Sequence, residues 1–201
     1  QDCILFFRLG DFYEMFFDDA LIASKAMEVT LTGKSCGLEE RAPMCGVPYH
    51  AADTYIAKLI NKGYKVAICE QIEDPSTSKG IVKREVVRVI TPGTVVSQTM
   101  LNENENNYLA SIFLDETGAG IAYCDISTGE ISTTELRGQR NIERLLNELE
   151  KIRAKEIIAN EAVALDGLLD DLKENNNAYF SLLESRYYNK NTSVEVVLRQ
   201  F

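Results

Sequence analysis

The fold is decided near the start of the chain, by CILFFRLGDFYEMFFDDALIASKAM at residues 3–27. Residues 3–9 form a short apolar run that ends at Gly10, and this pattern predicts a buried strand. Beyond Gly10, apolar side chains recur every three or four residues, at Tyr13, Phe16, Phe17, Ala20 and Leu21. This spacing predicts a helix over residues 11–27 that turns one face to the core.

The start of that predicted helix has the residues of a capping box. Asp11 would be the N-cap, and Glu14, three residues later, would bond back to the helix start. Phe12 would lie in the first turn, where it has little of its own helix to pack on, whereas Tyr13 is predicted to be core. An exposed aromatic ring beside a carboxylate at a helix end is a candidate recognition tip.

The pattern predicts two segments, each with its own sheet and helices. In the first segment we predict strands at 29–32, 64–71 and 83–91, a helix at 51–62 closed by Gly63, and loops at 33–48 and 74–80. In the second, glycine-containing turns separate strands at 108–115, 121–127 and 130–136, which predicts an antiparallel meander. Helices at 141–152 and 165–174 and strands at 156–160 and 179–183 follow, and the helical pattern near Phe201 predicts a domain that is cut short.

Length and composition indicate two ordinary globular domains. The chain has 201 residues, 45% hydrophobic and 26% charged, and no apolar run of membrane-spanning length. The polar stretch SQTMLNENENN predicts a linker at 97–107 between domains at 1–96 and 108–201. The fold class is therefore α/β, with a mixed-sheet α+β domain followed by a second α/β domain. We expect no membrane association and a cytoplasmic location.

Charge restricts where DNA could bind. The net charge is −10, divided as −2 over residues 1–96 and −8 over residues 97–201. Binding to phosphates requires lysine and arginine, so bulk electrostatics do not favour nucleic acid. Any contact with DNA should come from a local patch in the first segment.

The sequence offers little for metal or nucleophilic chemistry. The odd number of cysteines and the lack of a CxxC motif predict reduced thiols and no zinc site. His50, the single histidine, lacks the partners of a catalytic triad and is predicted to be structural. An acidic cluster at Glu70, Glu73 and Asp74 is a weak candidate for a metal site.

Three stretches together resemble one protein family. They are GDFYEMF at residues 10–16, the unbroken stretch 43–94 that begins PMCGVPYHAADTY and ends VVRVITPGT, and DISTGE at 125–130. All three are similar to the MutS family of bacterial DNA mismatch repair proteins. The resemblance is close over the first ~95 residues and looser beyond.

The resemblance implies a mechanism for the first domain. It would recognise mispaired or unpaired bases from the minor groove, with Phe12 inserted as a wedge that stacks on one base and kinks the duplex. Glu14 would hydrogen-bond that base, either ionised and accepting from a thymine N3–H or protonated and donating to a purine nitrogen. Lys34 and Arg84 align with positions that touch the DNA backbone, although Lys34 replaces a more usual arginine. Lys79, on a predicted loop, is a weaker candidate for a phosphate contact.

For the second domain the resemblance implies a ribonuclease-H-like connector without catalysis, which offers a surface to a MutL-type partner. The chain has no GxxxxGK[ST] motif, so we expect no ATPase activity and no cofactor here. ATP and Mg would belong to the ATPase domain of the full-length homodimer, and this chain alone should be a monomer. Two alternatives stay open: a metal-dependent nuclease using Asp115, Asp125 and Glu130, and an acidic module that chiefly holds protein partners.

Overall fold

A computed structural model describes residues 2–37, 39–73, 82–97, 99–102 and 105–200. The chain forms two compact units, Gln1–Asn102 and Glu103–Phe201, and the boundary between them in the sequence falls inside the predicted linker. Both contain a mixed sheet with helices, which confirms the α/β class. Among the described residues, no helix is long and apolar enough to cross a lipid bilayer.

The first unit is built on six strands in the order β3-β4-β2-β1-β5-β6. Only β1 and β5 run parallel; the other neighbours are antiparallel. The elements are β1 Cys3–Leu9, β2 Phe12–Phe16, α1 Phe17–Met27, β3 Thr32–Lys34, β4 Ala42–Pro48, a 3₁₀ turn Tyr49–Ala51, α2 Ala52–Ile60, β5 Lys65–Gln71 and β6 Arg84–Ile90.

The helix predicted over residues 11–27 is wrong in its first part. FYEMF is strand β2, and the helix begins only at Phe17, so Asp11 and Glu14 form no capping box. Gly10 and Asp11 instead make a two-residue turn between β1 and β2, with Gly10 at φ +58°. A type II′ hairpin turn requires this positive φ at its first residue, which glycine adopts without strain.

Both helices cover one face of this sheet. Tyr13 and Met15 point to that face and join one core with side chains from α1, α2 and the neighbouring strands. Successive side chains of a strand point to opposite faces, so Phe12, Glu14 and Phe16 lie on the other face. Tyr13 is buried as predicted, although its strand and not a helix places it there.

Two other predictions in the first unit need correction. The strand predicted at 29–32 lies at Thr32–Lys34, and the predicted loop 33–48 contains β4, whose Gly and Pro residues suggested a turn. The remaining strands and α2 fall within a residue or two of their predicted bounds. The predicted loop 74–80 lies outside the described residues.

The second unit has five strands in the order β11-β10-β7-β8-β9. The antiparallel β7, β8 and β9 form the predicted meander, and β10 pairs parallel with both β7 and β11. The arrangement agrees with the expected ribonuclease-H-like connector. The elements are β7 Tyr108–Asp115, β8 Gly118–Asp125, β9 Glu130–Arg137, α3 Asn141–Ile152, β10 Glu156–Asn160, a 3₁₀ turn Glu161–Gly167, α4 Leu168–Asn175, β11 Tyr179–Leu183, a 3₁₀ turn Ser185–Tyr188 and α5 Lys190–Gln200.

Candidate nucleic-acid interface

The β1–β2 turn presents Phe12 to solvent. Phe12 is the first residue of β2, is 48% exposed, and pairs with Leu9 on one side and Pro48 on the other. The amide of Tyr49 donates to the Asp11 carbonyl at 3.0 Å, which ties the turn to the end of β4. The exposed ring is therefore held on a backbone that is bonded from both sides.

Glu14 lies two residues along the same strand and on the same face. Its side chain is only 16% exposed, and Lys34 Nζ on β3 donates to its Oε2 at 2.5 Å. The Lys34 ammonium also lies 5.6 Å from the centre of the Phe16 ring. The structure thus brings together Glu14 and Lys34, two predicted site residues that stand 20 positions apart in the sequence.

Gly46 has no side chain to fill the space beside Phe12 and Glu14. It pairs with Glu14 across β2 and β4. A Cβ atom here would lie 3.3 Å from the Tyr13 carbonyl oxygen, 3.6 Å from Glu14 Cγ and 3.9 Å from Phe12 Cδ1. Sequence reasoning missed this residue, because its neighbours are set by strand pairing.

A cluster of polar and aromatic side chains fastens the base of the same turn. The Arg8 guanidinium stacks 3.7 Å from the centre of the Tyr49 ring, and its Nη1 lies 3.8 Å from Glu70 Oε1. The Tyr13 hydroxyl donates to that same Glu70 oxygen. The pKa of Tyr13 is raised to about 12, mainly by burial and secondly by this hydrogen bond.

The weak metal prediction at Glu70, Glu73 and Asp74 gains no support from this cluster. Glu70 is engaged by Arg8 and Tyr13, Glu73 accepts from the Lys83 amide at 3.1 Å, and Asp74 lies outside the described residues. His50 is exposed, and its ring lies edge-on to Tyr49.

Arg84 is turned toward its own sheet. Its Nε donates to the Arg8 carbonyl at 2.9 Å, its Nη1 donates to the Val82 carbonyl at 2.8 Å, and the guanidinium lies over the Phe7 ring. Two of the five N–H donors of Arg84 are therefore engaged within the sheet. Lys79, the weaker candidate, lies outside the described residues.

Of the three carboxylates of the nuclease alternative, Asp125 and Glu130 are paired across β8 and β9, but Asp115 lies far from both. Asp115 and Asp125 stand at opposite ends of the β7–β8 pairing, seven residues apart along each strand, which is roughly 20 Å. Two-metal catalysis needs ions only about 4 Å apart. In the described parts of the chain, no three side chains of the metal-ligating types lie close enough to hold an ion.

Asp125 has a structural use instead. It is buried; its Oδ1 accepts from the Ser127 amide at 2.9 Å and hydroxyl at 2.6 Å, and its Oδ2 accepts from the Asn107 amide at 3.0 Å. The hydrogen bond from the Ser127 side chain is the main cause that lowers the pKa of Asp125. The carboxylate therefore holds the β8–β9 turn and the start of β7.

Replacing Asp125 with asparagine should destabilise the second unit by about 1–3 kcal/mol, because an amide cannot accept all three bonds. Since folding lowers the Asp125 pKa, the wild type should lose this stabilisation as pH falls through that pKa. Urea unfolding at pH 7 and pH 3, followed by hydrogen exchange of β7 and β8, measures both effects.

Asp115→Asn is the matched control for that experiment. Asp115 makes the same kind of turn, accepting from the Thr117 amide and hydroxyl, but it is exposed to water. Asp115→Asn should therefore lower the stability of the second unit less than Asp125→Asn does. Equal stability of Asp125→Asn and wild type at pH 7 would contradict the structural role.

Comparison with known proteins gives a consistent result over nearly the whole chain. The family model described as MutS domain I matches residues 1–99, and the one described as MutS domain II matches residues 107–191. A solved structure of an Aquifex aeolicus Ppx/GppA phosphatase aligns with 39% of this chain and 36% of its own chain, at TM-score 0.27 and 13% identity, which is too weak a likeness to indicate a shared fold.

Curated relatives carry the same name. Proteins named DNA mismatch repair protein MutS from Acetivibrio thermocellus and Ruminiclostridium cellulolyticum are 54% and 52% identical over all of this chain, and one from Clostridioides difficile is 61% identical over 85% of it. The chain spans 23%, 23% and 18% of the lengths of these relatives. Since two adjacent MutS domains are matched in order, the chain belongs to the MutS family.

Proposed function

We propose that the first unit recognises mispaired or unpaired bases in double-stranded DNA, as the sensing part of mismatch repair. Phe12 enters the minor groove as a wedge, and Glu14 hydrogen-bonds the base on which it stacks. The observation that carries the proposal is the half-exposed Phe12 ring at a firmly bonded turn, with Glu14 beside it on the same face of the sheet.

The physics of a wedge suits this task. Inserting an apolar side chain between base steps unstacks them at a cost of about a few kcal/mol. A mispaired step is already poorly stacked and paired, so it is cheaper to deform than a matched step. Recognition of many mispairs then requires no base-specific code.

The proposal is tested by fluorescence anisotropy of a G·T duplex and of its matched control at low salt, using this chain. A preference for the G·T duplex supports the proposal, and equal binding of the two duplexes contradicts it. Low salt is chosen because phosphate contacts weaken as salt rises.

Glu14→Ala should tighten binding to matched DNA and reduce discrimination. The Glu14 carboxylate lies beside Phe12 and would face the phosphates of any duplex, so its negative charge repels the DNA. A matched duplex offers Glu14 no base hydrogen bond that would offset this repulsion. We expect matched-duplex affinity to rise about threefold to tenfold. Unchanged matched-duplex affinity would contradict this role, and Glu28→Ala, which changes charge equally on the helical side of the unit, is the control.

For the second unit we propose the connector role, with a surface for a MutL-type partner. Its sheet agrees with the expected arrangement, and its net charge of −8 disfavours a DNA groove. We further propose that residues 1–96 and 108–201 act as separate domains of a longer cytoplasmic protein that dimerises and binds ATP and Mg elsewhere.

A further inference from the structure

Lys34 reaches Glu14 across the neighbouring strand β4. It is the last residue of β3 and pairs with Ala42, while Glu14 pairs with Gly46 on the far side of the same strand, β4. Ala42 and Gly46 are four residues apart, so the two side chains lie on one face of the sheet. Met44 lies on the same face between these two register positions, and Gly46 beside Glu14 has no side chain.

The contact engages the lysine through its ammonium group. Nζ donates to Glu14 Oε2, and the Lys34 side chain remains 41% exposed while that of Glu14 is 16% exposed. The carboxylate takes one of the three N–H donors of the ammonium and offsets its charge, which weakens the attraction of Lys34 for a phosphate. The contact therefore favours a role through Glu14 over a role as an independent phosphate ligand.

We propose that Lys34 is a positioning residue that sets mismatch discrimination by neutralising and orienting the Glu14 carboxylate beside Phe12. This inference rests on the proposed function of Phe12 and Glu14. With Lys34 in place, the carboxylate is held toward β3 and its charge is partly offset when DNA approaches. Without Lys34, the uncompensated charge repels any duplex, and most strongly a matched one that offers Glu14 no hydrogen bond.

The test is a double-mutant cycle with Lys34→Gln and Glu14→Gln, measured on G·T and matched duplexes over a range of salt. Lys34→Gln alone should weaken matched-duplex binding about twofold to fivefold, the range of a half-exposed ion pair. Binding to the G·T duplex should change less, so discrimination should rise. In the Glu14→Gln background, Lys34→Gln should have no effect, and Lys34→Arg should behave as wild type.

Two results would overturn the proposal. A loss of the same size in both Glu14 backgrounds, with the salt slope reduced by about 0.9, would make Lys34 a phosphate ligand. No effect on either duplex would make the ion pair purely structural. Lys58→Gln is the matched control, since Lys58 is also 41% exposed and pairs with Glu28 on the helical side of the unit.

The proposed function has its own readout in this experiment. If wild type prefers the G·T duplex and Phe12→Ala removes the preference, the proposed function holds whatever Lys34 does. If wild type shows no preference, both the function and this inference fail together.

Discussion

Phe12→Ala should lower affinity for a G·T duplex about 10- to 100-fold, because stacking of a base on an aromatic side chain is worth about 1–3 kcal/mol. Affinity for the matched duplex should change little, since a matched step resists insertion. The two duplexes should therefore bind the variant almost equally. Fluorescence anisotropy with both duplexes at low salt measures the effect.

Phe17→Ala is the matched control for the wedge. Phe17 is 53% exposed, close to the 48% of Phe12, and lies in the same unit at the start of α1. Its removal should leave the preference for the G·T duplex intact. Equal losses of G·T affinity for the two variants would indicate a general effect on the unit. An unchanged preference for the G·T duplex in Phe12→Ala would refute the wedge.

Met15→Ala should destabilise the first unit by about 2–5 kcal/mol. Met15 has no exposed surface and lies in the core with Cys45, its partner across β2 and β4. Alanine would leave a cavity that the surrounding sheet and helices cannot fill. Urea unfolding followed by hydrogen exchange of peptides from the first unit measures the loss.

The companion variant Phe16→Ala tests the strand assignment itself. On the observed strand Phe16 is half-buried on the open face, so its loss should be clearly smaller than that of Met15. A helix over residues 11–27 would reverse the order, because Phe16 would face the core and Met15 would not. A larger loss for Phe16→Ala would therefore contradict the hairpin.

The second unit is the part of the fold that sequence predicts best. The bounds predicted for β7, α3, β10 and β11 coincide with the observed ones, because α3 has apolar residues at helical spacing and each strand is a short, mainly apolar run between polar residues. The nuclease alternative rests on the prediction that Asp115 and Asp125 lie at strand ends, and sequence does not show that these two ends lie apart.

The first unit shows why periodicity fails at the candidate site. Tyr13 belongs to a strand while Phe16 and Phe17 lead into a helix, and their combined spacing imitates one continuous helix. The Gly10-Asp11 pair was the available hairpin signal. The Lys34–Glu14 contact and the opening above Gly46 depend on pairing between distant strands, which no local pattern reveals.

The position of β2 inside the sheet has a mechanical consequence. A side chain that pushes apart stacked bases feels an equal reaction force, and a loose support would recoil. For Phe12 to retreat, β2 would have to shear against three residue pairs to β1 and five to β4. An antiparallel ladder has about one hydrogen bond for each residue pair, and each bond lost costs about 0.5–1.5 kcal/mol. The shear therefore costs more than the few kcal/mol needed to unstack a base step. The stiffer body is then the protein, and the compliant one is the DNA.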